Sequence, residues 1–529
     1  MKKAQKRLAS TPNYISPKQL VLAGFESPFS QKLDAKNRWV ILGDTLPWDE
    51  VCNTYLNHIG ISSTGRPAIS PRVVIASIII KHICNLDDRE TVAQISENMY
   101  MQYFLGYTSF SNVPPFDASL FVEFRNRMGK ELINSINDKI LSLHQNIVSK
   151  KEMPPNEKGA ENNPNECQNN DKEIDKLENE ATVSHKGRVL FDATACPQDI
   201  AYPTDINLLS DAREKTEGLI DIIYNQLLHS KKPRTYRKVA RKAYLNIAQK
   251  KKKGKGEIRK AIRKQLGFLK RNLKSIDNLL DACPTFPLKP KQQKYLMVVH
   301  TLYQQQLQMY DTKTHSVEHR IVSIHQPHVR PIVRGKSTAK VEFGSKIHVS
   351  LVDGYAFLDE LSWDAFNEGA HMMSYVENYK KRFGYYPEEV LADQIYCTRE
   401  NRKGLKEMSI KLLAKPLGRP SAVKKEYIRP GERNPIEGKF GQAKTGYGLG
   451  NIKARLKSTS ESWIASIFMV LNLVKLAGVA SLWLKIQLFI GNSFSAIKTL
   501  WFLTIRKILL SKLCQYQALL TRQTTMAFC

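Results

Sequence analysis

Residues 151–186 set the first limit on how this chain folds. The stretch opens KEMPPNEKGAENNPNECQNNDKEIDKLENE and is nearly free of large apolar side chains. Such a segment buries too little surface to offset the entropy of ordering it, so a disordered linker is expected there. The 529 residues are nevertheless 42% hydrophobic, which leaves ample material for packed cores on either side.

Residues 1–150 read as a helical body. Ser70-Pro71 has the form of an N-cap followed by proline at the first helical position, opening VVIASIIIKHI. Asp87 with Glu90 three residues later has capping-box form and predicts a helix through about Phe104, which Gly106 ends. Pro114-Pro115 breaks the chain, and Asp117 is placed to cap FVEFRNRMGKELINSI.

Beyond the linker the pattern becomes mixed α/β. Short apolar runs predict strands at 188–195, 319–324, 329–333, 345–352, 389–392 and 410–414, with a hairpin turn at Asp353-Gly354. Helices are expected at 208–227, 364–383 and 434–456. A mixed α/β domain is thus expected over 187–457, interrupted by a basic helical insertion at about 205–318. Ser458-x-x-Glu461 has capping-box form and opens apolar helices over 458–529.

Charge narrows the partner. Lys plus Arg is 80 against 50 for Asp plus Glu, a net +30. From Lys231 to Lys274 there are 19 basic residues and one acid, Glu257, with Lys251, Lys252 and Lys253 at the centre. So many like charges repel one another without a polyanion, and nucleic acid is the expected partner. The eight cysteines are scattered with no C-x-x-C pair, which fits a reducing compartment. Lys475, Lys485, Lys498 and Arg506 interrupt the apolar tail, whose longest uncharged run, Ser462–Val474, is too short for a bilayer; no membrane partner is expected.

Three carboxylates stand out. Asp192 directly follows Leu190-Phe191 inside the 188–195 run, and Asp393 directly follows Val390-Leu391-Ala392 at the end of its strand. Burying a lone carboxylate is costly, whereas one at a strand end facing a cation suits a hard divalent metal. Glu437 lies in Arg433-Asn434-Pro435-Ile436-Glu437, with Lys444 seven residues on and therefore close to two helical turns away. One helix face would then carry a cation, a carboxylate and a second cation. Asn434 and Glu437 also form a capping-box pair, which leaves a purely structural role open. Lys346 and His348 alternate on one face of the strand that begins at Gly344; they either border the site or line a plain strand face.

Arg433-x3-Glu437-x6-Lys444 resembles the C-terminal signature Tyr-x2-Arg-x3-Glu-x6-Lys of DDE insertion-sequence transposases. LFDAT around Asp192 and VLADQIYCTRENRKGLK around Asp393 resemble the strands carrying the first two acids. GRPAISPRVVIASIIIKHICNLDDRETVAQISENMYMQYFLG and DASLFVEFRNRM resemble the InsH-type N-terminal domain of such enzymes. The signature tyrosine is missing: Pro430 takes its place and Tyr427 is the nearest tyrosine. The resemblance runs from about residue 40 to 475. It implies an RNase H-like core and an Asp192/Asp393/Glu437 triad binding two Mg2+ (or Mn2+) ions. It further implies phosphate contacts from Arg433, Lys444, Lys346 and His348, and a helical N-terminal domain that binds DNA. The partners would be terminal inverted repeats and target DNA, with a homodimer or larger assembly on DNA in the bacterial cytoplasm at the nucleoid. A DNA-binding repressor with an inactive core and a hydrolysis-only nuclease are the rival readings.

Overall fold

The computed structural model describes residues 32–60, 68–151, 185–333, 341–415 and 431–478. Most of the expected linker and the tail beyond residue 478 lie outside the described residues.

A mixed six-stranded sheet forms the centre. Its strands are β1 (Arg188–Pro197), β2 (Arg330–Val333), β3 (Val341–Val352), β4 (Tyr355–Ser362), β5 (Glu389–Leu391) and β6 (Lys411–Leu413). β1 runs antiparallel to β3, from Val189 opposite Val352 to Pro197 opposite Gly344. On its other side β1 runs parallel to β5, which runs parallel to β6. β2 and β4 share the far edge of β3. A side chain at Gly344 would overlap the Cys196 carbonyl, so glycine is what allows the two long strands to approach there. Asp353 and Gly354 both have positive φ, 49° and 78°, the backbone a tight two-residue hairpin requires between β3 and β4.

Helices cover the sheet. α1 (Arg38–Thr45), α2 (Trp48–Ile59), α3 (Pro71–Cys84), α4 (Asp88–Glu97), α5 (Met99–Leu105) and α6 (Leu120–Lys151) precede it. The helix expected from Asp87 to Phe104 is two helices. Asn98 leaves the helical conformation, and its side chain accepts the N–H groups of Tyr100 and Met101 to start α5. α6 kinks at Gly129, where φ is +61°.

Between β1 and β2, where a basic helical insertion is expected, lie α7 (Asp205–Ile223), α8 (Arg237–Ala248), α9 (Lys255–Asp281) and α10 (Pro290–Thr312). α9 shows why this segment is both basic and folded. Leu266, Leu269, Leu273 and Ile276 recur at helical spacing and pack with α7 and α10 into a core of their own. Arg259, Lys260, Arg263, Lys264, Lys270, Arg271 and Lys274 fill the remaining faces. Lys251, Lys252 and Lys253 are exposed in the α8–α9 turn.

The remaining helices are α11 (Met372–Phe383), α12 (Arg399–Glu407), α13 (Asn434–Gly446) and α14 (Lys457–Leu476). Three expectations are corrected here. Residues 319–324 are irregular: Ile321 and Ile324 join the insertion core from a loop and pair with no strand. The helix expected over 364–383 begins only at Met372, after a 3-10 turn (Glu368–His371) that the Asn367 side chain caps. The helix expected over 434–456 likewise stops at Gly446.

α14 is apolar on every side and is accordingly buried, from Trp463 through Val474. It packs against α6, α3 and β4 in one core with α1, α2 and α13. Its N-terminus departs from the capping-box reading. Leu456 is the cap residue, without a side-chain bond, and Ser458 instead donates to Asn126 on α6. Among the described residues no helix is long and apolar enough to cross a membrane.

An ion cluster lies where α14 meets the N-terminal helices. Arg125 of α6 holds Asp88 with two hydrogen bonds, at 2.9 and 2.8 Å, and Lys81 of α3 reaches the same carboxylate at 2.9 Å. Both cations are buried, and both lie over the Trp463 ring, at 4.5 Å for Lys81 and 5.4 Å for Arg125. Arg72 is likewise buried, bonded to the Phe104 and Tyr103 carbonyls at the end of α5. These three cations serve the fold of the N-terminal body and are closed to a polyanion.

Candidate active site

The register of the parallel strands positions the first two acids. Leu190 pairs with Leu391, and two residues beyond that pair stand Asp192 on β1 and Asp393 just after β5. β5 ends at Leu391, so β1 has no strand beside it on that side from Asp192 onward. A cavity of about 720 Å3 opens along this bared edge, lined by Asp192, Ala193, Thr194 and Ala195. α13 forms the opposite wall along its length, from Arg433 at its cap through Glu437 to Lys444 in its last turn, all lining the cavity. Glu437 and Lys444 thus do share a helix face, as their spacing predicts.

One guanidinium joins the two aspartates. Arg433 places one terminal nitrogen 3.2 Å from Asp192 Oδ2 and the other 3.2 Å from Asp393 Oδ1. Each carboxylate is also fixed by the backbone. Asp192 Oδ1 accepts the Ala193 N–H at 2.8 Å, and Asp393 Oδ1 accepts the Gln394 N–H at 2.7 Å. The capping-box alternative for Glu437 is not realised. Arg433, not Asn434, occupies the cap position of α13, and no side chain caps that helix.

Burial pushes the Asp192 carboxyl above its ordinary 3.8; Arg433 and the Ala193 N–H pull it down, while Asp393 and Glu437 push it up. An acid raised on folding favours its protonated form, so ionised Asp192 costs stability at neutral pH. That cost is absent below the unfolded-state value and complete once pH exceeds the raised folded value. Asp192→Asn is therefore expected to be more stable than wild type at pH 7 without divalent ions. The difference should close as pH falls below the ordinary carboxylate range. Urea midpoints measured across pH check this; equal midpoints at pH 7 would contradict it.

Two other expected residues fare differently. Lys346 lines the cavity, but its ammonium is paired with Glu368 and donates to the Phe366 carbonyl at 2.7 Å. Glu368 is a fourth carboxylate in the cavity, which no sequence pattern marked. His348 is corrected. Its side chain is fully buried, stacked on Tyr375 of α11 with ring centroids 3.5 Å apart, and Nδ1 meets Asp359 at 3.1 Å. A direct DNA contact from His348 is closed off by α11. Lys251, Lys252 and Lys253 belong to the insertion and are not among the residues lining this cavity.

The donor set suits a hard divalent cation. Asp192, Asp393 and Glu437 offer carboxylate oxygens to one cavity, and the two aspartates already share a cationic group. Among the described residues, no three His, Cys, Asp or Glu side chains are drawn together tightly enough to ligate one ion. The Arg433 guanidinium stands in as the cation between the aspartates.

Asp192 on β1, Asp393 just after β5 and Glu437 on α13 thus border one cavity, together with the basic side chains of Arg433, Lys444 and Lys346. Residues 390–474 match the model of a transposase DDE domain, and residues 27–127 match that of a transposase domain (DUF772). In this order along one chain, the two matches are consistent with a DDE insertion-sequence transposase. The DDE match implies an RNase H-like core and dependence on a divalent metal. It contains Asp393, Arg433, Glu437 and Lys444, whereas Asp192 lies outside both matched segments and reaches the cavity through β1. The chain is also similar to an uncharacterized protein, ORF8 in the nfe locus of Rhizobium meliloti, 31% identical over 116 residues. That similarity covers 21% of this chain and 54% of the relative, so the chain spans about half the length of the curated relative it matches. No solved structure matches the chain.

Proposed function

We propose that the protein cuts and joins DNA at the terminal inverted repeats of an insertion sequence, with Asp192, Asp393 and Glu437 as the catalytic carboxylates. The observation that carries this reading is their meeting in one cavity whose basic lining residues are Arg433, Lys444 and Lys346. Two divalent ions, Mg2+ or Mn2+, held by the three acids would supply Lewis acidity to the attacking and leaving oxygens of phosphoryl transfer. The chain's own part is to hold the phosphodiester. Lys444 sits about two turns along α13 from Glu437 and faces the same space. The Arg433 fork matches two phosphate oxygens. Chemistry of this kind needs no covalent link between protein and DNA.

Around this centre, residues 1–150 are proposed to read the inverted repeats, with assembly as a homodimer or larger on DNA. The insertion at about 205–318 is proposed to grip phosphates without reading sequence. Changing Lys251, Lys252 and Lys253 together to Gln should weaken binding to all duplexes alike. The salt dependence should flatten by about 0.9 in log–log slope for each phosphate that is no longer neutralised. Filter binding across a salt series checks this, and a loss confined to end-specific DNA would make the turn a sequence reader.

The deciding experiment incubates the full chain and Mg2+ with the DNA termini that flank its gene, together with a target plasmid. Joined products are expected. Nicks without joining would mean a hydrolytic nuclease, and binding without nicks a repressor.

A further inference from the structure

Arg433 occupies an unexpected place for a phosphate ligand: it is engaged with the catalytic carboxylates themselves. Its two terminal nitrogens reach Asp192 and Asp393 at 3.2 Å each, longer than the roughly 2.7–2.9 Å of a well-formed charge-assisted bond. Its third nitrogen, Nε, is buried without a hydrogen-bond partner. The guanidinium is held, but loosely, and one donor is unsatisfied. The oxygens it faces are Asp192 Oδ2 and Asp393 Oδ1. The backbone holds the same two carboxylates from its own side, through the Ala193 N–H on Asp192 Oδ1 and the Gln394 N–H on Asp393 Oδ1.

An ion that took up these oxygens would compete with the guanidinium for them, and the two cations would repel each other at close range. Arg433 therefore has to leave the aspartates when they are loaded, and leaving unpaired would strand a part-buried charge. A phosphodiester in the same cavity removes that penalty. It presents two oxygens at the spacing of the arginine fork, and Lys444 lines the cavity to draw it in. We infer that Arg433 is a two-position residue, clamping Asp192 to Asp393 in the free protein and moving to a DNA phosphate in the complex. Its movement makes divalent-ion affinity conditional on DNA. The inference rests on the metal-site reading proposed above. By linkage the effect is reciprocal, so the ion strengthens DNA binding by the same factor that DNA strengthens ion binding. The free protein is thereby kept from carrying a loaded site to the wrong phosphodiester.

The test reads ion binding and not turnover. Bound Mn2+ is measured by electron paramagnetic resonance on the full chain, with and without a short duplex of the gene's flanking terminus. The double variant Asp192→Asn/Asp393→Asn gives the share of Mn2+ taken by DNA and other sites. Wild type is expected to bind Mn2+ about fivefold to 150-fold more tightly with DNA, the ordinary range of coupling between two sites. Arg433→Gln, which keeps a polar end without charge, is expected to bind Mn2+ without DNA more tightly than wild type does, and to lose most of the dependence on DNA. Arg433→Lys, which keeps the charge but cannot span both aspartates, serves if the Gln variant misfolds, and should also bind Mn2+ more tightly than wild type without DNA. Equal Mn2+ affinity of wild type with and without DNA overturns the inference. So does an unchanged DNA-free affinity in the folded Arg433 variant. Either result leaves the metal site standing, provided the double aspartate variant loses the ion. Full Mn2+ binding by the double variant would instead overturn the metal-site reading, and the inference with it.

Discussion

Asp192→Ala, Asp393→Ala and Glu437→Ala are each expected to lose cleavage of end DNA by roughly a thousandfold, since metal-borne charge stabilisation is worth several kcal/mol and about 4 kcal/mol corresponds to that factor. Binding of the same DNA in the absence of divalent ions should persist. Removing a carboxylate subtracts no phosphate contact, and it lowers the negative charge facing the duplex. Gel-shift and single-turnover cleavage measured side by side check both halves. Glu437 is the most informative of the three, because it is exposed and α13 does not use it as a cap. Robust cleavage by Glu437→Ala would remove it from the triad. A variant that lost binding and cleavage together would point to a folding role.

The largest effect on stability is expected far from that cavity, at Asp88. Its carboxylate neutralises two cations that burial would otherwise leave stranded, Lys81 and Arg125. Burial lowers the Lys81 ammonium from its usual value, and Asp88 works against that shift. Breaking a buried pair by removing one partner costs about 3–5 kcal/mol, because the surviving charge is left uncompensated. Asp88→Ala should lower the urea midpoint of the whole chain accordingly. Adding Lys81→Met should recover part of the loss by removing one of the stranded charges. A midpoint close to wild type in Asp88→Ala would mean that water reaches Lys81 and Arg125 through the Asp88 side. Arg125→Ala should also be costly, since it leaves Lys81 alone to balance the carboxylate and opens space beside Trp463.

Much of the site was legible because its parts follow local rules. A carboxylate directly after apolar strand residues is conspicuous at Asp192 and Asp393, and the interval from Glu437 to Lys444 is a matter of helix geometry. What local rules do not carry is register. That Asp192 and Asp393 stand at one level follows from Leu190 lying beside Leu391, a pairing across 201 residues. The engagement of Arg433 depends on that pairing too, so spacing identified the residue but not its partners. His348 was misread for a related reason. Alternation along β3 correctly groups it with Lys346, yet says nothing of α11, whose Tyr375 ring covers that part of the strand. Glu368 had no signal at all, since it enters through a short 3-10 turn. Secondary structure failed where side chains compete with the backbone, as at Asn98 and Asn367, or where buried residues come from a loop, as at Ile321 and Ile324.

The position of α14 bears on the order in which the protein is made. Ser462 donates to the Arg125 carbonyl across 337 residues of chain, and Trp463 closes over the Lys81–Asp88–Arg125 cluster. At about 5–20 residues per second, a ribosome needs roughly twenty seconds to a minute to cover that interval. Throughout it, α3 and α6 have emerged while the helix that fills the space between them is still unwritten. Their apolar faces must wait, open to chaperones or to one another. A product that terminates before residue 457 lacks the wedge of this core altogether. Such a fragment would be expected to be cleared or to aggregate, so folding of the N-terminal body reports that the message has been read past Glu437.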